Sequence, residues 1–278
     1  MISYDFEYYR PATYQEAIEL FKSKLEQGEN PVYYSGGSET VTYARSKIIK
    51  TCAVIDLKAI EETQVFSEDG EYIIYGSSLS LNNIIQKTNF KLMAEVLNKV
   101  ADHTVRNRLT IGGNICGRLF YREAILPVMV SDGILVIAGE NGIRQENVMD
   151  AFDKRIKLSP GEILLQIKIP KDNIDNPYIN MRKERSGEID YPLFHISALK
   201  VNGLVRYSFS GLNPFPFRNV EIENLLNDSS VEKIDRVSGV TNMLPSNILD
   251  DIHSSRDFRK HLFENDLLDI VKQMEGEF

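Results

Sequence analysis

Thr110-Ile111-Gly112-Gly113-Asn114-Ile115-Cys116-Gly117-Arg118-Leu119-Phe120-Tyr121-Arg122-Glu123 is the stretch on which the reading of this chain turns. Two adjacent glycines, Gly112 and Gly113, admit positive φ and put no Cβ between the main chain and a ligand. Asn114 sets an amide beside that bare backbone, and Thr110 a hydroxyl. A turn so built can aim successive N–H groups at one point and form an anion-binding concavity. A second turn of like composition lies upstream, Ser35-Gly36-Gly37-Ser38-Glu39-Thr40. Together they suggest a ligand with two phosphates and a long polar middle. Either pair alone reads first as an ordinary turn, because turn geometry itself favours glycine.

Composition narrows the field. At 278 residues, 42% hydrophobic and 26% charged, the chain has the makeup of a globular protein able to bury real cores. No apolar run approaches the roughly 18 residues that span a membrane. The N-terminus shows no basic region followed by an apolar block, so no secretory signal is read there. Two cysteines, Cys52 and Cys116, are too few for a disulfide framework or a four-thiolate iron–sulfur cluster. A cytoplasmic protein with reduced thiols is expected. The net charge of −8 argues against nucleic acid as a partner, since phosphate contacts need a basic face. Bound phosphates would have to be held by backbone dipoles and a few placed cations.

In chain order, Asp5–Pro11 reads as extended. Thr13 and Glu16 have capping-box spacing, with Ala17, Ile18, Phe21 and Leu25 at helical intervals and an end near Gln27-Gly28. Val32-Tyr33-Tyr34 is a strand running into the first glycine turn, and Cys52–Leu57 is another. Asp69-Gly70 marks a hairpin. Ser80 or Asn82 caps a helix carrying Ile84 and Ile85, and Leu92, Val96, Leu97 and Val100 space out the next. Helix resumes from about Arg122 to Val130, with Pro127 near its start. Ile134–Ala138 with Asn141-Gly142 forms a second hairpin, and Ile163–Pro170 a strand. The polar stretch Lys171–Pro177 looks like a boundary. Beyond it, His195–Val201 and Leu204–Ser210 flank Asn202-Gly203 in a hairpin, and Val220–Leu226 and Arg256–Met274 read as helices. Three α+β units follow: 1–57, 58–172 and 178–278. Both glycine turns fall in the first two, and a cleft between those units is the natural ligand site.

Other chemistries find little support. There is no G-x-G-x-x-G after a strand and no G-x-x-x-x-G-K-[ST], so a dinucleotide would need a different scaffold. His103, His195, His253 and His261 show no metal-ligand spacing. His253 and His261 read as surface residues, and His103 either lines the site or is merely half-buried. No G-x-S-x-G elbow is present. Cys116 reads as a small buried thiol before it reads as a nucleophile. Glu123 is either a favourable charge at a helix start or an acceptor for ligand hydroxyls. The run Arg182-Lys183-Glu184-Arg185 is either a solvated loop or counter-charge for a diphosphate.

Several of these segments resemble the FAD-binding medium subunits of molybdenum hydroxylases, such as those of xanthine dehydrogenase and carbon monoxide dehydrogenase. Val32–Glu39 resembles the "LLAGGTD" turn of that family. Val105–Ile115 is similar to its "IRNxxTIGGNI" signature, Ile55-Asp56-Leu57 with Ile60 to "IDLxxI", and Asp251–Leu262 to "DxRGSxxYRxxL". The resemblance implies a fold of the p-cresol methylhydroxylase type: two α+β subdomains holding FAD between them, then a smaller C-terminal α+β domain with an antiparallel sheet. By matching, Val32, Tyr33, Tyr34, Ser35, Gly36, Gly37, Ser38 and Glu39, with Thr110, Ile111, Gly112, Gly113 and Asn114, would touch the cofactor, and amides of both turns would hold its diphosphate. Glu123 stands where the family has Asp contacting the flavin's polar chain. Leu164 matches a leucine packed near the flavin. A family lysine near the isoalloxazine corresponds to Arg182 or Lys183. The family's "NASPAxD" is here Gly117–Glu123, without its serine and proline, and Glu39 replaces an Asp.

The function so implied is that of an FAD-carrying subunit of a xanthine dehydrogenase-like complex. It would pass electrons from iron–sulfur clusters through FAD to NAD or another acceptor. The partners implied are an iron–sulfur subunit and a molybdopterin-binding subunit. No metal and no catalytic residue of its own is expected, and no activity on the hydroxylated substrate alone. The alternative is a non-redox scaffold or regulatory protein on a decayed flavin-binding fold, and a third reading is a stand-alone flavin oxidase.

Overall fold

The structure, a computed structural model, describes residues 2, 4–184, 191–244, 248–251 and 254–276. The chain begins with β1 (Glu7–Tyr9), α1 (Tyr14–Glu26), β2 (Pro31–Tyr34), α2 (Ser38–Arg45) and β3 (Ala53–Asp56). The strands form a parallel sheet in the order β1-β3-β2. The N-cap of α1 forms as its spacing predicts, but the returning carboxylate takes the N–H one residue before the cap. Thr13 Oγ1 accepts the Glu16 N–H at 3.2 Å, and the Glu16 carboxylate accepts the Ala12 N–H at 3.0 Å.

The second unit holds β4 (Phe66–Glu68), β5 (Tyr72–Gly76), α3 (Leu81–Lys87), α4 (Lys91–Asn98), α5 (His103–Arg106), α6 (Ile111–Cys116) and α7 (Leu126–Val130). It continues with β6 (Ile134–Gly139), β7 (Gly142–Asn147), α8 (Val148–Ala151), the short pair β8 (Phe152–Asp153) and β9 (Arg155–Ile156), and β10 (Ile163–Pro170). Five of these strands make an antiparallel sheet, β4-β5-β10-β6-β7. Its central strands are buried on both faces. Leu135, Ile137, Leu164 and Ile167 join the helices of this unit in one core. Val136, Ala138, Ile163 and Leu165 instead pack on Ala17, Ile18 and Ile55 of the first unit. Burial on both sides explains why these strands read as apolar runs with broken alternation. It is also how the first unit is fastened to the second.

The third unit is the antiparallel sheet β11 (Tyr178–Glu184), β12 (Pro192–Val201), β13 (Leu204–Ser210) and β14 (Phe217–Arg218), backed by α9 (Val220–Leu226), α10 (Lys233–Met243) and α11 (Arg256–Met274). Asn202 (φ 51°) and Gly203 (φ 85°) give the hairpin the twist that a two-residue loop needs. The other face of this sheet sits on α7. Leu199 and Val201 enter the second unit's core. Carbonyls at the end of α7 are taken by arginines from the third unit. Arg218 donates to Met129 O at 2.7 Å and Arg206 to Val130 O at 3.2 Å. Among the described residues, no helix is long and apolar enough to cross a membrane.

Candidate functional site

The two glycine pairs, distant in sequence, meet in space. A Cβ on Gly36 would lie 2.0 Å from the Arg108 carbonyl oxygen and 3.3 Å from Thr110 N, so the first bend packs directly on the approach to the second. Gly37 is the N-cap of α2 with φ 74°. A side chain there would collide with the Tyr34 ring, which Lys58 Nζ covers at 4.5 Å. No acceptor among the described residues takes the N–H of Gly37, Ser38 or Glu39. These are the free donors of a helix start.

The second pair differs from its expected role. Gly112 and Gly113 lie in the first turn of α6, capped by Thr110, and their amides already have partners. Ile111 N–H donates to Leu79 O at 3.1 Å, Gly112 N–H to Ser77 O at 2.8 Å, and Gly113 N–H to Thr110 Oγ1 at 3.1 Å. Asn114 N–H bonds Thr110 O at 2.9 Å. The cause is close packing: a Cβ on Gly112 would lie 2.6 Å from Ser77 Cβ. Gly113 is exposed and presents a bare Cα to solvent. The second bend therefore contributes close approach, and the first contributes free amides.

Between them lies a cleft of about 660 Å³, within the range of small-molecule sites. Of the residues singled out in the sequence, Tyr33, Ser35, Gly36, Gly37, Ser38, Glu39, Thr110, Gly113, Asn114, Glu123 and Arg182 line it. The structure sets the others elsewhere. Val32 is a half-buried residue of β2, and Tyr34 faces a second groove beside Asp56 and Lys58. Ile111 and Leu164 are core, and Gly112 is buried against Ser77. Lys183 pairs with Asp266 at 3.1 Å, so among the described residues of the run Arg182 is the basic one that faces the cleft.

Glu39, longer than the aspartate of the resembling family, reaches across and accepts the amides of Arg118 (2.8 Å) and Leu119 (3.1 Å). Asn114 Oδ1 accepts the Ala124 N–H at 3.0 Å, tying α6 to the segment that follows. Glu123 is buried, bonded at 2.7 Å to both Arg182 Nε and His195 Nδ1. His195 Nε2 in turn meets Asn180 Oδ1 at 2.7 Å. Burial alone would push the Glu123 carboxyl up, but His195 and Arg182 outweigh it and hold the group below the usual carboxylate range. Arg182 also pairs with Glu184, and its side chain is 3% exposed.

Several readings are corrected. Arg182–Glu184 belong to β11 and not to a solvated loop. Cys116 ends α6 on the cleft wall, exposed as a residue, while the burial expected of its thiol pushes that group's pKa up to about 12. His103 is exposed in α5 and does not line the cleft, and His261 is a surface residue as expected. His253 and Arg185 lie outside the described residues. Among the described residues, no cluster of His, Cys, Asp and Glu could hold a metal.

Three lining residues carried no signal in the sequence. Tyr121 and Tyr191 stack with ring centroids 4.7 Å apart. Arg122 is buried in a left-handed conformation, and its Nε has no acceptor among the described residues. A free helix start, an arginine whose buried Nε has no acceptor among the described residues, and a cleft of this size fit a diphosphate-bearing nucleotide such as FAD.

Comparison with known proteins agrees. Residues 4–172 match the family described as the FAD binding domain in molybdopterin dehydrogenase. The carbon monoxide dehydrogenase medium chain of Hydrogenophaga pseudoflava is 28% identical over 61% of this chain and 60% of its own. The nicotinate dehydrogenase FAD-subunit of Eubacterium barkeri is 24% identical over 66% of this chain and 64% of its own. The match thus spans under two thirds of the length of these curated relatives. The nicotine 6-hydroxylase medium subunit of Paenarthrobacter nicotinovorans is 23% identical over 92% of this chain and 93% of its own. Quinoline 2-oxidoreductase from Pseudomonas putida 86 superposes with a TM-score of 0.85 at 20% identity, covering 98% of this chain and 97% of that one. At that identity the superposition speaks for the fold, which is shared end to end.

Proposed function

The chain belongs to the family of FAD-binding domains in molybdopterin dehydrogenases, and from that premise we propose that it is the FAD-carrying subunit of a multi-subunit molybdenum hydroxylase. The chemistry FAD would supply is acceptance of an electron pair from iron–sulfur centres and its delivery to NAD or another acceptor. The protein's share is binding, orientation and electrostatics. Free amides of Gly37, Ser38 and Glu39 would hold phosphate oxygens at the positive end of α2. Bare Gly113 would let the nucleotide approach the backbone. Glu123 and Arg182 would form a fixed ionic wall, with buried His195 bonded to Glu123 behind it. Two cysteines cannot supply a cluster, so its thiolates and the molybdopterin would come from partner subunits.

The observation that carries this reading is the packing of Gly36 against Arg108 and Thr110, which puts both glycine segments on one cleft. The test is reconstitution of the purified full chain with FAD, followed by gel filtration. A yellow protein with about one flavin per chain supports it, and a colourless one returns the chain to the scaffold reading. Co-purification from the native host should bring down an iron–sulfur subunit and a large molybdopterin subunit. Relatives are named for carbon monoxide, nicotinate and caffeine. The substrate, xanthine or another, would therefore be set by the molybdenum partner and not by this chain.

A further inference from the structure

We propose that Arg122 is a ligand for the cofactor's pyrophosphate, completing an anion site with the free amides at the start of α2. The inference rests on the FAD-carrier reading and adds to it a residue outside the motifs that carry that reading.

Among the described residues, two cations line the cleft, Arg122 and Arg182. Arg182 is engaged by Glu123 and Glu184. Arg122 is 8% exposed, yet its Nε is buried without an acceptor among the described residues. Burying a guanidinium N–H without an acceptor is costly, and proteins keep such groups where something else completes them. Its surroundings compensate only in part. The guanidinium carbon sits 5.7 Å over the Phe152 ring, a cation–π contact that supplies no hydrogen-bond acceptor, and Arg155 adds a like charge nearby. Glu39 acts on it only through space, because its carboxylate is bonded to the amides of Arg118 and Leu119. Burial, the larger effect, and Arg155 together pull the guanidinium below its ordinary range.

The backbone adds to the cost. Arg122 has φ 35° and ψ 47°, a left-handed conformation that a glycine or asparagine would adopt more cheaply. A non-glycine residue held there, buried and charged, is the kind of local strain that gathers at ligand sites. The ligand chemistry follows from the group. A guanidinium is planar and always charged, and it pairs with two phosphate oxygens at once. In a chain of net charge −8, a diphosphate needs such a counter-ion close at hand.

The test uses the full chain as wild type, Arg122→Gln and Arg122→Lys, titrated with FAD, ADP and riboflavin. Arg122→Gln should weaken FAD and ADP about tenfold, the loss of a charge-assisted bond, and leave riboflavin, which has no phosphate, unchanged. Arg122→Lys should recover part of the loss. The dependence of FAD affinity on salt should be shallower in Arg122→Gln. Without ligand, the melting temperature of Arg122→Gln should equal or exceed wild type, since a buried cation with an unmet Nε–H is gone, while the rise on adding FAD should shrink. Unchanged FAD and ADP affinity in Arg122→Gln overturns the inference. So does an equal loss of riboflavin with a lower apo melting temperature, which marks a structural residue. Wild type that binds ADP through Arg122 but not FAD sinks the functional reading alone, and wild type that binds neither sinks both.

Discussion

Gly112 and Gly113 are adjacent glycines for different reasons. Gly112 has no room for a side chain, because Ser77 occupies the place. Gly113 is exposed, and a Cβ there would meet only Thr110 Oγ1. Gly112→Ala should destabilise the apoprotein by about 1–3 kcal/mol through overpacking, read from its urea midpoint. Gly113→Val should cost less stability but weaken FAD at least tenfold, and full affinity in that variant would argue against the site. The sequence marks both residues as unusual. It cannot distinguish them, since Ser77 is remote in the chain. Glu123 is a residue whose importance the sequence signals and whose partners it hides. Removing one side of this buried ion pair, as in Glu123→Gln, should cost about 3 kcal/mol at neutral pH. With its carboxyl held low in the folded state, Glu123 contributes stability above the unfolded value of about 4.3 and loses it as pH falls through the folded value. Urea midpoints measured from pH 7 to pH 3 should therefore fall less steeply in Glu123→Gln than in wild type.

Legibility among the elements follows from what holds each one in place. Apolar spacing alone marks α9 and α11, and the structure gives them the same limits, Val220–Leu226 and Arg256–Met274. The Asn202-Gly203 hairpin is likewise local chemistry. By contrast α2 and α6 begin at glycine pairs, whose intrinsic preference is against helix, and they read as turns. Only contacts from afar make them helices: Gly36 on Arg108, Gly112 on Ser77, and the Ser80–Thr110 bridge. β11 is hidden because its charged run finds partners in other elements, Arg182 with Glu123 and Lys183 with Asp266. The cap on α6 gives a direct test. Thr110→Val removes the acceptor for Gly113 N–H and should cost about 1 kcal/mol, with FAD affinity reduced as the bend loosens. Thr110→Ser, which keeps the oxygen, should restore both in the same urea and flavin titrations.

Across the whole molecule, three apolar cores divide the chain, but the seams between them are not weak. One core is shared by the first two units, and Leu199 and Val201 of the third unit fill part of the second unit's core. Arg206, Arg218 and Ser208 satisfy carbonyls of α7 across the other seam. The full chain should accordingly unfold in one transition, with circular dichroism and tyrosine fluorescence coincident. Tyrosine is the probe because the chain has 13 tyrosines and no tryptophan. A fragment ending at residue 175 would strip those carbonyls of their third-unit donors and leave the Glu123 charge without Arg182 and His195. It should melt well below the full chain and fail to retain FAD on gel filtration.

The reach of Glu39 to the amides of Arg118 and Leu119 has a wider implication. It pins the two sides of the slot at a separation gauged by the length of one acidic side chain. An aspartate in its place would either draw those sides together by about 1.5 Å, one carbon–carbon bond, or let go. A lineage can therefore retune the gap through a single codon while both glycine pairs stay untouched.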